Sequence, residues 1–115
     1  MKTTIPALQE AIESRDGATM TGFYADDAVL SVIDQTHPPS KPMEFKGRAA
    51  IAAYYDDVCG RAMTHKVGFG ITEGDRLAFT QACTYPDGNR VFCAATLELK
   101  DGRIVRQTSV QAWDP

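Results

Sequence analysis

The sequence lacks the features that mark nucleic-acid-binding, membrane-spanning and secreted proteins. Its 12 Lys and Arg residues are outnumbered by 15 Asp and Glu, and a net charge of −3 provides no basic footprint for nucleic acid. No apolar run approaches the ~20 residues of a membrane span, and the N-terminus has no signal-peptide hydrophobic region. We therefore expect a cytoplasmic protein that binds neither nucleic acid nor membranes.

The cysteine, histidine and glycine residues also match no disulfide, metal-binding or phosphate-binding pattern. The three cysteines, Cys59, Cys83 and Cys93, have no CxxC spacing, and their odd number argues against a disulfide framework. They are expected to be reduced, buried hydrophobes, although Cys83 and Cys93 could face each other and oxidise. His37 and His65 form no metal-ligand pattern with them, and no glycine run matches a phosphate-binding loop. The sequence predicts neither a metal nor a cofactor.

The features that are present indicate one domain of 115 residues with an ordinary 43% of hydrophobic residues. Residues 64–113 are rich in β-branched and aromatic side chains and are interrupted by turn signals at 73–75, 86–89 and 101–102. This pattern predicts four strands in an antiparallel meander. Alternation predicts the following inward residues on the first three strands: His65, Val67, Phe69 and Ile71; Leu77, Phe79, Gln81, Cys83 and Tyr85; Val91, Cys93, Ala95, Leu97 and Leu99.

Register follows from the requirement that inward residues oppose inward residues. Pairing Cys83 with Cys93 and Leu97 with Gln107 satisfies it. The last strand then has an unusually polar inward set: Val105, Gln107, Ser109, Gln111 and Trp113. Buried amides and hydroxyls need hydrogen-bond partners, so this row predicts either a ligand pocket or a private structural network. We interpret the sheet as the wall of a cavity for a small apolar molecule.

Helical and strand patterns also alternate in the first half of the chain. Residues 5–15 have helical spacing with Thr4 as N-cap, and a short helix carrying Met20, Phe23 and Tyr24 follows. A strand then places Asp34 at the end of an apolar face, and residues 35–42 form a proline-rich loop or lid. A third helix contains Tyr54 and Tyr55; one is expected to reach the pocket and one to pack beneath the helix, or both to be core. The order predicts an α+β fold with helices packed on one face of an antiparallel sheet.

Two motifs carry a resemblance to a known family. Phe-Tyr-Ala-Asp-Asp-Ala at 23–28 precedes the first strand, and Lys-Gly-Arg-Ala-Ala-Ile at 46–51 begins the third helix. With the order of elements, they resemble the nuclear transport factor 2-like superfamily, and within it the small SnoaL-like bacterial proteins. The resemblance covers 1–115 as a single domain. It implies a cone: a curved antiparallel sheet with three N-terminal-half helices packed on its concave face and a pocket inside.

The resemblance leaves the function open, because members include ketosteroid isomerases, polyketide cyclases, dehydratases and proteins without a known activity. It implies a cofactor-independent isomerase, dehydratase or cyclase acting on a small apolar carbonyl or hydroxyl compound. The alternative is a non-catalytic domain of the same fold that binds a small ligand or a protein. In either case the candidate ligand-binding residues are Tyr54, Tyr55, Phe79, Gln81, Gln107, Ser109, Gln111 and Trp113.

The ketosteroid isomerase constellation is missing from this sequence. Val32 stands where the resemblance implies a carboxylate base, and Leu8 and Ala95 stand where it implies the two oxyanion donors. Tyr55 matches a supporting position of the same network. Asp34 lies on the same strand face as Val32, so it is a candidate displaced base or a solvated strand-end acid.

The dehydratase branch implies a different pair, an acid that orients a histidine acting as general base. The matching positions are Glu13 and His65, with Asp34 as an alternative acid partner. His65 is the stronger candidate, since alternation places it inward, although a core-edge histidine would fit the same pattern. His37, in the proline-rich loop, either is exposed or caps the ligand.

The outward face of the meander carries mainly small and β-branched residues rather than charges. Such a face favours contact with another sheet, and a homodimer is common in the resembled family. A threonine-rich face exposed to solvent is the alternative.

Overall fold

The structure, a computed structural model, describes residues 2–114. Its elements in chain order are α1 (Ile5–Glu13), α2 (Gly17–Gly22), β1 (Tyr24–Ile33), β2 (Met43–Lys46), α3 (Arg48–Gly60), β3 (Thr64–Glu73), β4 (Arg76–Thr84), β5 (Arg90–Lys100) and β6 (Arg103–Asp114). No helix among these combines the length and the apolar character that crossing a membrane requires.

The six strands form one curved, unclosed sheet in the order β2-β1-β6-β5-β4-β3. The meander of β3 to β6 is antiparallel, as predicted. The sheet as a whole is mixed, because β1 runs parallel to β6. The short edge strand β2 was not predicted; it pairs with β1 through the register Val29 to Lys46. The α+β fold class is confirmed.

Local sequence signals account for α1. The Thr4 hydroxyl accepts a hydrogen bond from the Ala7 amide at 3.3 Å, which caps the helix as predicted. The helix ends at Glu13, and Arg15 follows in the left-handed region with φ 57°. The second helix ends at Gly22, so the helical prediction for Tyr24 is wrong; this residue begins β1.

The two family-like motifs contact each other in space. The Gly47 amide donates to the Ala28 carbonyl at 2.8 Å. The Arg48 guanidinium donates to the Tyr24 carbonyl at 2.6 and 3.1 Å and pairs with Asp26 at 2.9 Å. These bonds fix the start of α3 against β1.

The β4–β5 hairpin differs in register from the prediction. Cys83 opposes Val91, and Gln81 opposes Cys93. The predicted Cys83–Cys93 pairing is wrong by two residues because the connection spans 85–89, where the Tyr85 amide donates to the Asn89 carbonyl at 2.8 Å. A shift of two leaves every side chain on its predicted face.

The β5–β6 hairpin has the predicted register, with Leu97 opposite Gln107. A bulge opposite Glu98 and Leu99 interrupts the alternation near the turn. Ile104 therefore takes the inward position with 0% exposure, and Val105, predicted inward, is half-buried instead.

A second bulge lies in β3. Gly68 opposes Thr80 and Gly70 opposes Phe79, so Phe69 is an extra residue on this strand. The alternation reverses beyond it, and the inward prediction for Phe69 and Ile71 is wrong; they are 87% and 66% exposed. The reversal turns Gly70 toward α1, where a Cβ would lie 2.5 Å from Ile5 Cγ2.

The main core lies between the helices and the inward face of the sheet. Its most buried members include Leu8, Met20, Tyr24, Ala28, Leu30, Val32, Ile51, Leu97 and Ile104. A smaller cluster of Met63, Cys83, Val91 and Cys93 lies toward the far end of the meander. The candidate site adjoins both clusters.

Candidate functional site

A cavity of about 220 Å³ opens between the helices and the inward face of the sheet. Its apolar lining includes Ile12, Met20, Leu30, Val32, Met43 and Val58. Its polar lining includes Asp34, His65, Gln81, Gln107, Ser109 and Gln111. Tyr54, Tyr55, Cys59, Cys83, Cys93 and Trp113 are also among the lining residues. A mostly apolar wall with a few polar groups is the usual composition of a small-molecule site.

Two of the predicted site residues lie elsewhere. Phe79 is packed in the main core and does not line the cavity. The Glu13 carboxylate accepts hydrogen bonds from the Val67 amide at 2.9 Å and from Gln9 Nε2 at 3.1 Å. Glu13 therefore fastens α1 to β3 instead of orienting His65.

A buried hydrogen-bond network forms one wall of the cavity. The Tyr55 and Tyr24 hydroxyls are 2.6 Å apart, and the Tyr24 hydroxyl donates to Gln107 Oε1. Gln107 Nε2 donates to Ser109 Oγ at 3.1 Å. Burial raises the pKa of both tyrosines well above its ordinary value, so both remain protonated.

The proton positions in this network follow from its chemistry. The Gln107 carbonyl oxygen can only accept a hydrogen bond, so the Tyr24 hydroxyl is the donor to it. The Tyr24 hydroxyl oxygen must then accept a hydrogen bond from the Tyr55 hydroxyl. The network therefore runs from Tyr55 through Tyr24 and Gln107 to Ser109. Because Ser109 Oγ accepts from the amide, its own proton remains available to a ligand in the cavity.

A second polar group joins β3, β4 and β5. His65 lies directly opposite Cys83, and its Nδ1 is 3.1 Å from Cys83 Sγ. A hydrogen bond from the Cys93 thiol, reinforced by His65 and opposed by burial, lowers the pKa of Cys83 to about 5. The same thiol–thiol bond and burial raise the pKa of Cys93. Cys83 is therefore the more acidic thiol of the pair.

Asp34 is committed to the loop that follows β1. Its carboxylate accepts hydrogen bonds from His37 Nδ1 and the Thr36 amide, each at 2.9 Å. Burial alone would raise the pKa of Asp34, but the hydrogen bonds from His37 and Thr36 outweigh it and hold the pKa below its ordinary value. Asp34 lines the cavity as an ionised group whose hydrogen-bond partner is His37, not His65.

The rim of the cavity is formed by Arg61, Tyr85 and Trp113. Arg61 and Trp113 are exposed, and Tyr85 is half-buried. The rings of Tyr85 and Trp113 are stacked, with centroids 6.0 Å apart. Arg61 donates to the Tyr85 hydroxyl at 2.9 Å and pairs with Asp57 at 2.6 Å. The rim is held in place from α3.

The sequence model of the SnoaL-like domain matches residues 6–107, which is most of the chain. The chain belongs to the SnoaL-like family. No curated protein matches the sequence of this SnoaL-like chain significantly.

Solved structures with the same fold are numerous. An NTF2-like protein of unknown function from Mesorhizobium loti is 19% identical with a TM-score of 0.82, covering 94% of this chain and 87% of that one. A proposed ketosteroid isomerase from Kribbella flavida is 19% identical with a TM-score of 0.77, covering 96% and 77%. IdmH from Streptomyces antibioticus, a proposed polyketide cyclase, is 24% identical with a TM-score of 0.68, covering 93% and 88%. At these identities the likeness establishes the fold.

The positions compared with ketosteroid isomerases are apolar and buried in this SnoaL-like domain. Leu8, Val32 and Ala95 all belong to the main core. Among the described residues, no group of three or more His, Cys, Asp and Glu side chains could hold a metal ion. The chemistry of this SnoaL-like site must come from other groups.

Sequence reasoning missed Cys83 and Cys93 as site residues. A signal for them was present, because a two-residue turn at 74–75 without a bulge would oppose His65 with Thr84, an outward residue. One extra residue in β3 removes this conflict, and the flanking Gly68 and Gly70 indicate where it lies. That correction brings His65 opposite Cys83.

Proposed function

We propose that this SnoaL-like domain is a cofactor-independent enzyme that moves a proton on a small apolar carbonyl or hydroxyl compound. The observation that carries the proposal is the polar wall of the cavity, which combines a free Ser109 proton with the His65 imidazole. Two structural relatives are proposed to be a ketosteroid isomerase and a polyketide cyclase, which supports this class of reaction.

The size of the cavity limits the substrate. An apolar cavity of about 150 Å³ is known to hold benzene. The 220 Å³ found here suits a compound of about one ring with short substituents, and a steroid of four fused rings is too large for it. We therefore propose a monocyclic or short-chain ketone, enone or hydroxy-ketone as the substrate.

The polar groups suit proton abstraction next to a carbonyl. With His65 Nδ1 held by Cys83, Nε2 is the nitrogen left to accept an α-proton. The Ser109 hydroxyl donates to the carbonyl oxygen as charge develops on it. Returning the proton to another carbon completes an isomerisation, and expelling a β-hydroxyl completes a dehydration. Gln81 and Gln111 supply further amide contacts along the same wall.

Exchange of α-protons for deuterium, followed by NMR on cyclohexanone, tests the proposal. The wild-type protein should bind cyclohexanone and exchange its α-protons faster than buffer does. Ser109→Ala should weaken binding about fivefold, because one net hydrogen bond contributes about 1 kcal/mol. Ser31→Ala is the matched control, since Ser31 lies on β1 outside the cavity lining, and it should bind like wild type.

The other outcomes separate the alternatives. Binding without proton exchange would support the non-catalytic ligand-binding domain, for which the apolar Leu8, Val32 and Ala95 are the favouring observation. Failure to bind small ketones of any kind would contradict both functions.

We propose further that two copies of the chain pair through the outward face of the sheet. On this face Phe92 and Val110 are 52% and 47% exposed on the adjacent strands β5 and β6. Sedimentation equilibrium of the wild type should give a dimer, and Val110→Lys should give a monomer because it places a charge in the interface. Phe69→Lys, on the β3 bulge, should remain dimeric. A monomeric wild type would contradict the proposal.

A further inference from the structure

We propose that Cys83 is a nucleophile that adds covalently to small α,β-unsaturated carbonyl compounds admitted to the cavity. The inference rests on the proposed binding of small carbonyl compounds by the same cavity. It adds a thioether-forming activity that proton transfer alone does not require.

The geometry places Cys83 at the meeting point of three strands. It lies opposite His65 on β3, and the 3.1 Å between His65 Nδ1 and Cys83 Sγ allows the imidazole N–H to donate to the sulfur. Cys93 lies opposite Gln81 on β5, which makes it the diagonal neighbour of Cys83 on the inward face. The His65 imidazole therefore contacts the Cys83 sulfur directly, and the Cys93 thiol lies beside this pair.

A hydrogen bond donated to the sulfur favours the thiolate form, which is the nucleophilic form of cysteine. The hydrogen bond from Cys93, with His65 as the second contributor, lowers the pKa of Cys83 to about 5 even though burial opposes the shift. Cys83 is thus largely ionised at neutral pH, and its position on the sheet explains why.

Access to Cys83 is restricted to the cavity. The residue is 5% exposed and is one of the cavity-lining residues. Cys59 also lines the cavity and is more exposed, but burial, together with Asp16, raises its pKa. The same cavity therefore contains an activated sulfur and an ordinary one, and Cys59 is an internal control.

The reaction balances without an oxidant or a cofactor. A lone pair of Cys83 Sγ forms a bond to the β-carbon, and the C=C π electrons move onto the α-carbon and carbonyl oxygen as an enolate. The α-carbon then takes a proton from water, which replaces the proton that the thiol released to solvent when it ionised. The net change is addition of S–H across C=C, so a saturated ketone cannot react.

Intact-mass measurement and peptide mapping after incubation with 2-cyclohexen-1-one test this inference, with cyclohexanone as the unreactive analogue. The expected result is one adduct of one enone mass, located on Cys83 and formed at least tenfold faster than any adduct on Cys59. Adduct formed mainly on Cys59 would overturn the inference. Binding of cyclohexanone by NMR without any enone adduct would overturn it while leaving the proposed function intact, whereas no binding and no adduct would contradict both.

The pH profile of iodoacetamide labelling gives a second measurement that needs no variant. Labelling of Cys83 should change less than threefold between pH 6.5 and 8.5, because the thiol is already ionised over this range. Labelling of Cys59 should rise about 100-fold, tenfold per pH unit below its pKa. A Cys83 rate that rises tenfold per pH unit in this range would overturn the inference.

Variants of the two donors test their positioning roles. Cys93→Ala and His65→Ala should each lower the Cys83 labelling rate at pH 6.5 by at least tenfold while leaving the rate at pH 9.5 within threefold of wild type. A loss of structure would change the rate at both pH values, so the shape of the profile separates positioning from folding. Wild-type profiles in both variants would overturn the assignment of the donors.

Discussion

Replacing His65 by alanine is expected to slow α-proton exchange on bound cyclohexanone by about 10² to 10⁴-fold, the usual contribution of a general base. His65 lines the cavity, and Cys83 occupies its Nδ1, which leaves Nε2 to take the proton. The substitution should lower the exchange rate at saturating ketone. It should change the affinity for the ketone little, since most of the apolar wall that binds the ketone is unchanged. NMR exchange rates measured across a ketone titration give both quantities.

Two comparisons make this prediction specific. Lys66→Ala truncates the neighbouring, outward-facing residue of β3 and should leave the exchange rate within twofold of wild type. Cys83→Ser tests whether the thiolate is the base instead; a loss as large as that of His65→Ala would transfer the role to Cys83. Exchange within threefold of wild type in His65→Ala would contradict proton transfer by this residue.

Replacing Gln107 by leucine is expected to lower the free energy of unfolding by about 1 to 3 kcal/mol, the cost of a buried donor left without an acceptor. Gln107 is buried and accepts a hydrogen bond from the Tyr24 hydroxyl, which in turn accepts one from the Tyr55 hydroxyl. Leucine has a similar volume, so the loss comes from the network and not from a cavity. Urea denaturation with an unchanged m-value provides the measurement.

Non-additivity is the distinctive part of this prediction. The triple variant Tyr24→Phe, Tyr55→Phe and Gln107→Leu removes donors and acceptor together and should be more stable than Gln107→Leu alone, because apolar replacement of all partners leaves nothing unpaired. Tyr54→Phe is the control, since the Tyr54 hydroxyl makes no hydrogen bond to another described residue; it should change stability by less than about 0.5 kcal/mol. A triple variant less stable than the single one would contradict the proposed direction of the network.

The strands and inward faces that depend on local alternation were predictable. On β5 every second residue is buried, as the pattern predicts. The turn predicted at Asp-Gly 101–102 is also present. Both residues have positive φ, of 54° and 82°, as this type of turn requires. In such segments neighbouring residues along the chain determine the structure.

The candidate site was predicted in part. His65, Gln107, Ser109 and Gln111 line the cavity because their faces follow from strand periodicity. The family pattern predicted that Glu13 would orient His65. In the structure the Glu13 carboxylate instead accepts a hydrogen bond from the Val67 amide of β3. This partner could not be predicted from the sequence, because it depends on how α1 packs across β3.

The sequence by itself determined the family, the order of elements and the polar inward row of β6, because each depends on residues close together in the chain. Tertiary structure decided which side chains meet. The bulge at Phe69 moves β3 by one residue and brings His65 opposite Cys83, and the loop at 85–89 sets Cys93 diagonal to that pair. Beyond the bulge Gly70 lies so close to Ile5 on α1 that a Cβ would be 2.5 Å from Ile5 Cγ2, and these two residues are far apart in sequence. The contact between His65 and Cys83 thus depends on packing that no local pattern encodes.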